Sequence, residues 1–114
     1  MSRRAFFASF AKLRRDVVRP VFQEVLPILR SRGYRCEIHE EEFAARPGEG
    51  STEASISLCL EHCELSFSTR GASRRIAIVN DDAAPRASVE IACIDNNRVE
   101  DEVLKLMAAT VQRP

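Results

Sequence analysis

Four cysteines and two histidines in a chain of 114 residues include two close groupings, C-E-I-H at Cys36 to His39 and C-L-E-H-C at Cys59 to Cys63. Tetrahedral zinc takes Cys and His ligands that turns bring together at such short spacings. Strand parity works against both groupings, because residues three apart on an extended chain face opposite sides. With Leu60 opposite Cys63 in a hairpin, Leu58 meets Leu65 and Ile56 meets Phe67 as one apolar face. Cys63 then points inward and Cys59 outward. Cys36, Cys63 and Cys93 read as small buried hydrophobes of a reducing cytoplasm, with neither metal nor disulfide. Glu37, His39 and Glu41 alternate along one strand face and are the remaining metal candidates, a weak divalent site at most. A solvated strand face is the preferred reading, since no second layer of partners is visible around them.

Nucleophilic chemistry finds as little support. A Cys–His pair needs hydrogen-bond reach and a third group to orient the base, and only Cys59 with His62 approximates the first condition. The four glycines, at 33, 48, 50 and 71, are too scattered to cradle a phosphate. Neither a cofactor nor catalysis is expected.

The net charge is zero but unevenly spread. Residues 1–36 carry nine Lys/Arg against Asp16 and Glu24, a balance of +7, while residues 37–64 carry eight Asp/Glu against Arg46, a balance of −7. Lys12, Arg15 and Arg19 make an i, i+3, i+7 stripe that is the candidate polyanion contact, extended by Arg3, Arg4 and Arg30. A nucleic-acid-binding accessory protein is therefore the alternative reading of function. Zero net charge, the acidic middle and the lack of a helix-turn-helix or an aromatic base platform weigh against it. Neutralisation of the basic segment within the fold or across a homodimer is the simpler expectation. Arginine outnumbers lysine 15 to 2, a bias of G+C-rich bacterial coding. The opening S-R-R-A-F-F resembles an export signal, but its apolar run ends after seven residues at K-L-R-R-D, so a cytoplasmic location is expected. No stretch approaches the roughly 20 apolar residues of a membrane span, and no membrane partner is expected.

The periodicities fix the elements. Over residues 1–33, Phe6, Phe10, Leu13, Val17, Val21, Val25 and Ile28 fall together at 100° per residue, flanked by Phe7, Val18, Phe22 and Leu29, a basic amphipathic helix with Arg14 as the intruder. Gly33 is a plausible stop, and Pro20 predicts a kink near Arg19. Residues 34–95 then alternate as five strands, Y-R-C-E-I-H-E-E-E-F, E-A-S-I-S-L-C-L, C-E-L-S-F-S-T, R-R-I-A-I-V-N and S-V-E-I-A-C-I. A-A-R-P-G-E-G-S and D-D-A-A-P-R-A are loops between them. Residues 96–112 close the chain as a helix, with Asn97 and Glu100 as a capping box and Val99, Val103, Leu106, Met107 and Val111 as its apolar stripe. One α+β domain over 1–114 follows: a long N-terminal helix, a five-stranded antiparallel meander and a C-terminal helix, both helices on one face.

Two surfaces are left for partners. A straight helix of about 30 residues is roughly 45 Å long, whereas an eight-residue strand spans about 27 Å. The overhang would carry Phe6, Phe7 and Phe10, so these three are the expected interface of a homodimer. The outward sheet face, with Ser55, Ser57, Ser66, Ser68 and Ser88 beside Arg70, Arg75, Glu64 and Glu90, is a second surface open to a protein partner. The expected function is protein–protein association without catalysis, as a homodimer through the first helix.

Overall fold

Ser2 opens the first helix by accepting the Ala5 N–H on its Oγ at 3.0 Å, the usual remedy for an unpaired N-terminal donor. In the computed structural model, residues 2–44, 48, 50, 53–69, 74–80 and 87–112 are described, with side chains through residue 108. Arg70, most of the loop before the second strand and most of that before the fifth lie outside them. Helix α1 covers Arg3–Leu13, a π-helical turn covers Arg14–Val18, and α2 covers Arg19–Ser31. The backbone stays helical through Leu13, Arg14, Val18 and Arg19, and the Arg19 N–H donates to the Arg14 carbonyl, five residues back.

That wide turn corrects two expectations. The kink expected near Pro20 is a π-turn just ahead of it, where Pro20 has no N–H to give to Asp16 and its ring would crowd that carbonyl in a tighter helix. The apolar stripe also moves by one residue. Leu13, Val17, Val21 and Ile28 were the expected centre, but Arg14, Val18, Phe22 and Leu29 are buried, with Val21 beside them. The reason lies in winding. Phe6, Phe10, Arg14, Val18 and Phe22 recur every four residues, which over-rotates an α-helix by about 40° per step, or about 160° over the run. A π-turn winds more slowly and takes part of that drift back.

The helix ends at Gly33 as expected, with φ at +89°, a value glycine adopts without strain. The Gly33 N–H donates to the Arg30 carbonyl at 3.0 Å and the Tyr34 N–H to the Leu29 carbonyl at 3.1 Å, a Schellman stop. The strands that follow are β1 (Cys36–Phe43), β2 (Glu53–Leu60), β3 (Glu64–Thr69), β4 (Ile76–Asn80) and β5 (Ala87–Val89). They pair antiparallel in the order β1-β2-β3-β4-β5. Ile56 faces Phe67 and Leu58 faces Leu65, the register that parity requires. The fifth strand is shorter than expected. After Val89 the chain turns through a short 3₁₀ helix, Ile91–Cys93, which delivers Ile94 to the core and leaves Cys93 exposed rather than inward. Helix α3 (Asn96–Gln112) is capped by Asp95, whose Oδ1 accepts the Arg98 N–H at 2.9 Å; the cap thus sits two residues ahead of the expected Asn97.

Ile56, Leu58, Leu65, Phe67, Ile76 and Ile78 form the inner face of the sheet, in one cluster with Phe10, Val18, Phe22 and Leu29 of the long helix and Val99, Val103 and Leu106 of α3. Both helices therefore cover the same side. The Phe22 and Phe67 rings meet at 6.2 Å between centroids with a 50° tilt, within the favoured range for aromatic pairs. Met107 packs at the margin of the cluster, and the side chain of Val111 lies outside the described residues. Among the described residues, no helix is long and apolar enough to cross a membrane.

Candidate functional site

Strand β1 changes character along its length. Its inward positions are Cys36 and Ile38, which join the apolar core, and then Glu40 and Glu42, which cannot. The π-turn supplies what these carboxylates need. Arg14 is buried, yet its Nη2 donates to Glu42 Oε1 at 2.6 Å and its Nη1 to the carbonyl oxygens of Glu41 and Ser55 at 3.2 and 3.3 Å. Its Nε lies 3.3 Å from Glu40 Oε1, an ion pair without hydrogen-bond geometry. Arg19 grips Glu40 with two hydrogen bonds, Nε to Oε2 at 2.9 Å and Nη2 to Oε1 at 2.6 Å, which push the guanidinium pKa up. Further along, Arg30 Nη2 donates to the Cys36 carbonyl at 3.1 Å. The helix and the strand run antiparallel, pinned at 14 to 42, 19 to 40 and 30 to 36.

The candidate polyanion residues divide accordingly. Arg19 is engaged by Glu40. Arg15 is exposed and paired to Asp16 at 2.8 and 3.2 Å, contacts that raise the arginine pKa and lower the carboxyl pKa. Lys12 is exposed on the outer face of α1. The three do not form one free cationic stripe.

Phe6, Phe7 and Phe10 do not stand clear of the sheet. Phe6 is 5% and Phe10 0% exposed, and Phe7 packs half-buried against the same cluster. The expected overhang compared the helix with a single strand, whereas α2 lies on β1 and α1 on β2, so the helix crosses the sheet obliquely and α3 fills in beside it. The protomer covers its own aromatic end.

Of the metal candidates, His39 Nε2 lies 2.8 Å from Glu37 Oε2 on the exposed face, while Glu41 faces Ser55 further along. Among the described residues, no three Cys, His, Asp or Glu side chains come together as a metal site. Cys36 and Cys63 are buried and Cys59 is on the outer face, as parity requires. Burial, then the neighbouring Glu64 carboxylate that accepts the Cys59 S–H at 3.6 Å, push the Cys59 pKa up to about 11. At neutral pH Cys59 is a thiol, not the thiolate that a nucleophile requires. A shallow cleft of about 560 Å³ opens beside it, where Arg30 and Arg35 balance Glu37 and Glu61 around Tyr34.

The exposed apolar residues lie elsewhere. Ile28 of α2 is 49% exposed and Leu104 of α3 is 62% exposed. Ile28 sits two residues from Arg30, about 200° round the helix from the side chain that reaches β1. Leu104 sits two residues from Glu102, whose carboxylate accepts the Asn80 amide of β4 at 2.7 Å, and so is turned about 200° away from that strand. The helices α2 and α3 touch, so both side chains are carried by neighbouring helices of one layer and turned away from the strands. Sequence periodicity placed Ile28 in the core and passed over Leu104; the four-residue spacing of the buried run is the signal that would have moved Ile28 outward. Comparison of the chain with protein-family models, curated proteins and solved structures gives no match.

Proposed function

We propose that this protein acts by protein–protein association without catalysis, as a homodimer built on its N-terminal helix. The observation that carries this reading is the pair Ile28 and Leu104, two large aliphatic side chains left exposed on neighbouring helices. A two-fold axis near the α2–α3 seam brings each pair against its copy, the most economical way to cover an apolar strip. Val25 and Met107, on the same two helices, are half-buried. The absence of catalysis is supported by the high pKa of Cys59. A bacterial cytoplasm as the setting is supported by four free thiols and by the arginine-rich composition. An outside protein partner fits the same surface.

Light scattering on the full chain and on an Ile28→Glu, Leu104→Glu double variant tests the proposal. The expected result is a dimer that becomes a folded monomer on substitution, whereas Phe43→Glu, at the far end of β1, leaves the dimer intact. A monomeric unsubstituted chain contradicts it. The second reading, nucleic-acid binding, rests on exposed Lys12 together with Arg15 and is weakened by the engagement of Arg19 with Glu40.

A further inference from the structure

Strand β1 ends the sheet, and among the described residues its strand neighbour is β2 alone. The Leu60 N–H donates to the Cys63 carbonyl at 2.8 Å, so Leu60 turns its main chain toward β3 and makes no ladder bond with Cys36, the β1 residue opposite it. Main-chain direction alternates along a strand, so Cys36, Ile38, Glu40 and Glu42 all point their N–H and C=O groups away from β2. Arg30 takes the Cys36 carbonyl at 3.1 Å, which shows a guanidinium donor already seated on this edge. Glu40 is exposed as a residue although its side chain is only 28% exposed, so its main chain meets water. The edge is open beyond Cys36.

The face beside that edge carries one sign of charge. Outward positions of β1, β2 and β3 hold Glu37, Glu41, Glu53 and Glu64 and no lysine or arginine, with His39 drawn to Glu37. Exposed Phe43 closes the β1 row. The inward carboxylates differ, because Glu40 and Glu42 are already held by Arg14 and Arg19. A second copy of β1 repeats the same acids, whereas a basic strand complements them.

We propose that the β1 edge takes up an extended basic segment of a partner protein as a sixth strand. Antiparallel pairing, the more stable kind and the kind used throughout this sheet, sets where its side chains fall. An apolar residue meets Phe43, an arginine two positions on meets Glu41, and a second arginine four positions further meets Glu37. The residues opposite Glu42, Glu40 and Ile38 supply the main-chain hydrogen bonds. This contact uses neither Ile28 nor Leu104 and stands apart from the association through them.

The test is a titration of the isotope-labelled full chain with the blocked heptapeptide Ile-Thr-Arg-Thr-Thr-Thr-Arg, followed by amide resonances. The amides of Ile38, Glu40 and Glu42 should shift together and saturably, more than those of Glu37, His39 and Glu41, which are turned toward β2. Methylating the peptide nitrogens at positions 2, 4 and 6, which face β1, should abolish the shifts, while methylating positions 3 and 5, which face away, should leave them. Glu41 gives Arg14 its carbonyl and not its carboxylate, so Glu41→Arg keeps the clamp; it should weaken binding several-fold, and a peptide with glutamate at position 3 should restore it. Absent shifts at the three amides, or shifts indifferent to methylation at positions 2, 4 and 6, overturn the proposal. The same shifts on concentrating the chain without peptide also overturn it, because the edge then belongs to a second copy.

Discussion

The inner face of the sheet is covered in two different ways. Under β2, β3 and β4 the contact is mainly apolar, with Ile56, Leu58, Leu65, Phe67, Ile76 and Ile78 all shut off from water and the Asn80–Glu102 hydrogen bond beside them. Under the second half of β1 it is ionic, Arg14 and Arg19 against Glu40 and Glu42. The apolar region stabilises by area removed from water and tolerates little change of volume. The ionic region stabilises less for the same contact, since both charges must leave water, but it gives orientation: it fixes which turn of the helix meets which residue of the strand. It also places charges inward on an edge strand, a device that discourages pairing with a stray strand. Two arginines of the +7 segment thus cancel against two glutamates of the −7 segment along one helix–strand seam, which engages Arg14 and Arg19 before any polyanion can.

Breaking the two regions separately should show the contrast. Phe67→Ala or Phe10→Ala should destabilise by about 3–5 kcal/mol, a large share of the about 5–15 kcal/mol that holds such a domain, read from urea midpoints. Removal of residues 2–10 should go further and abolish the fold, because it takes both Phe6 and Phe10 from the core; a folded monomer would instead place them outside it. Arg14→Ala leaves Glu42 and Glu40 without their buried partner and should cost toward the lower end of about 3–5 kcal/mol, as both carboxylates keep some water. Arg19→Ala, at a pair about a third exposed, should cost only about 0.2–1 kcal/mol and less in high salt. A cost for Arg19→Ala as large as that for Arg14→Ala would show that burial does not separate them.

The smallest effect is at Cys59. Its thiol pKa is raised to about 11, so at pH 8 it should alkylate more slowly than exposed Cys93, with a rate that climbs through pH 9 and 10 instead of levelling there. Glu64→Gln should bring that profile to lower pH by removing the adjacent negative charge. Because the folded-state value lies above the unfolded one, the contribution of Cys59 to stability is whole below about pH 9 and declines as pH rises toward 11.

Much of the architecture was legible because it follows from period and punctuation. Alternation fixed the β2–β3 register, and Gly33 fixed the helix end. What escaped was the single extra residue of the π-turn. Period analysis assumes constant winding, so an apolar residue just before each member of the buried stripe kept the other phase plausible from Leu13 to Ile28. Arg14 was visible as an intruder, but its partners lie 26 and 28 residues away on a strand whose glutamates look like any solvated face. The burial of Phe6 and Phe10 within the protomer escaped for a geometric reason, since a sequence gives the length of a helix but not its angle to the strands. The short fifth strand escaped because S-V-E-I-A-C-I alternates as well as any strand, and the need to reach Asp95 and start α3 is not written in that alternation.

The most direct test of the account is sedimentation velocity of the unsubstituted chain across a wide concentration range at low and high salt. A dimer whose affinity is nearly indifferent to salt is the predicted result, because Arg14 and Arg19 are paired within each protomer and the residues that carry the association, Ile28 and Leu104, are apolar. A chain that is monomeric throughout, or a dimer that dissolves as salt is added, would contradict it.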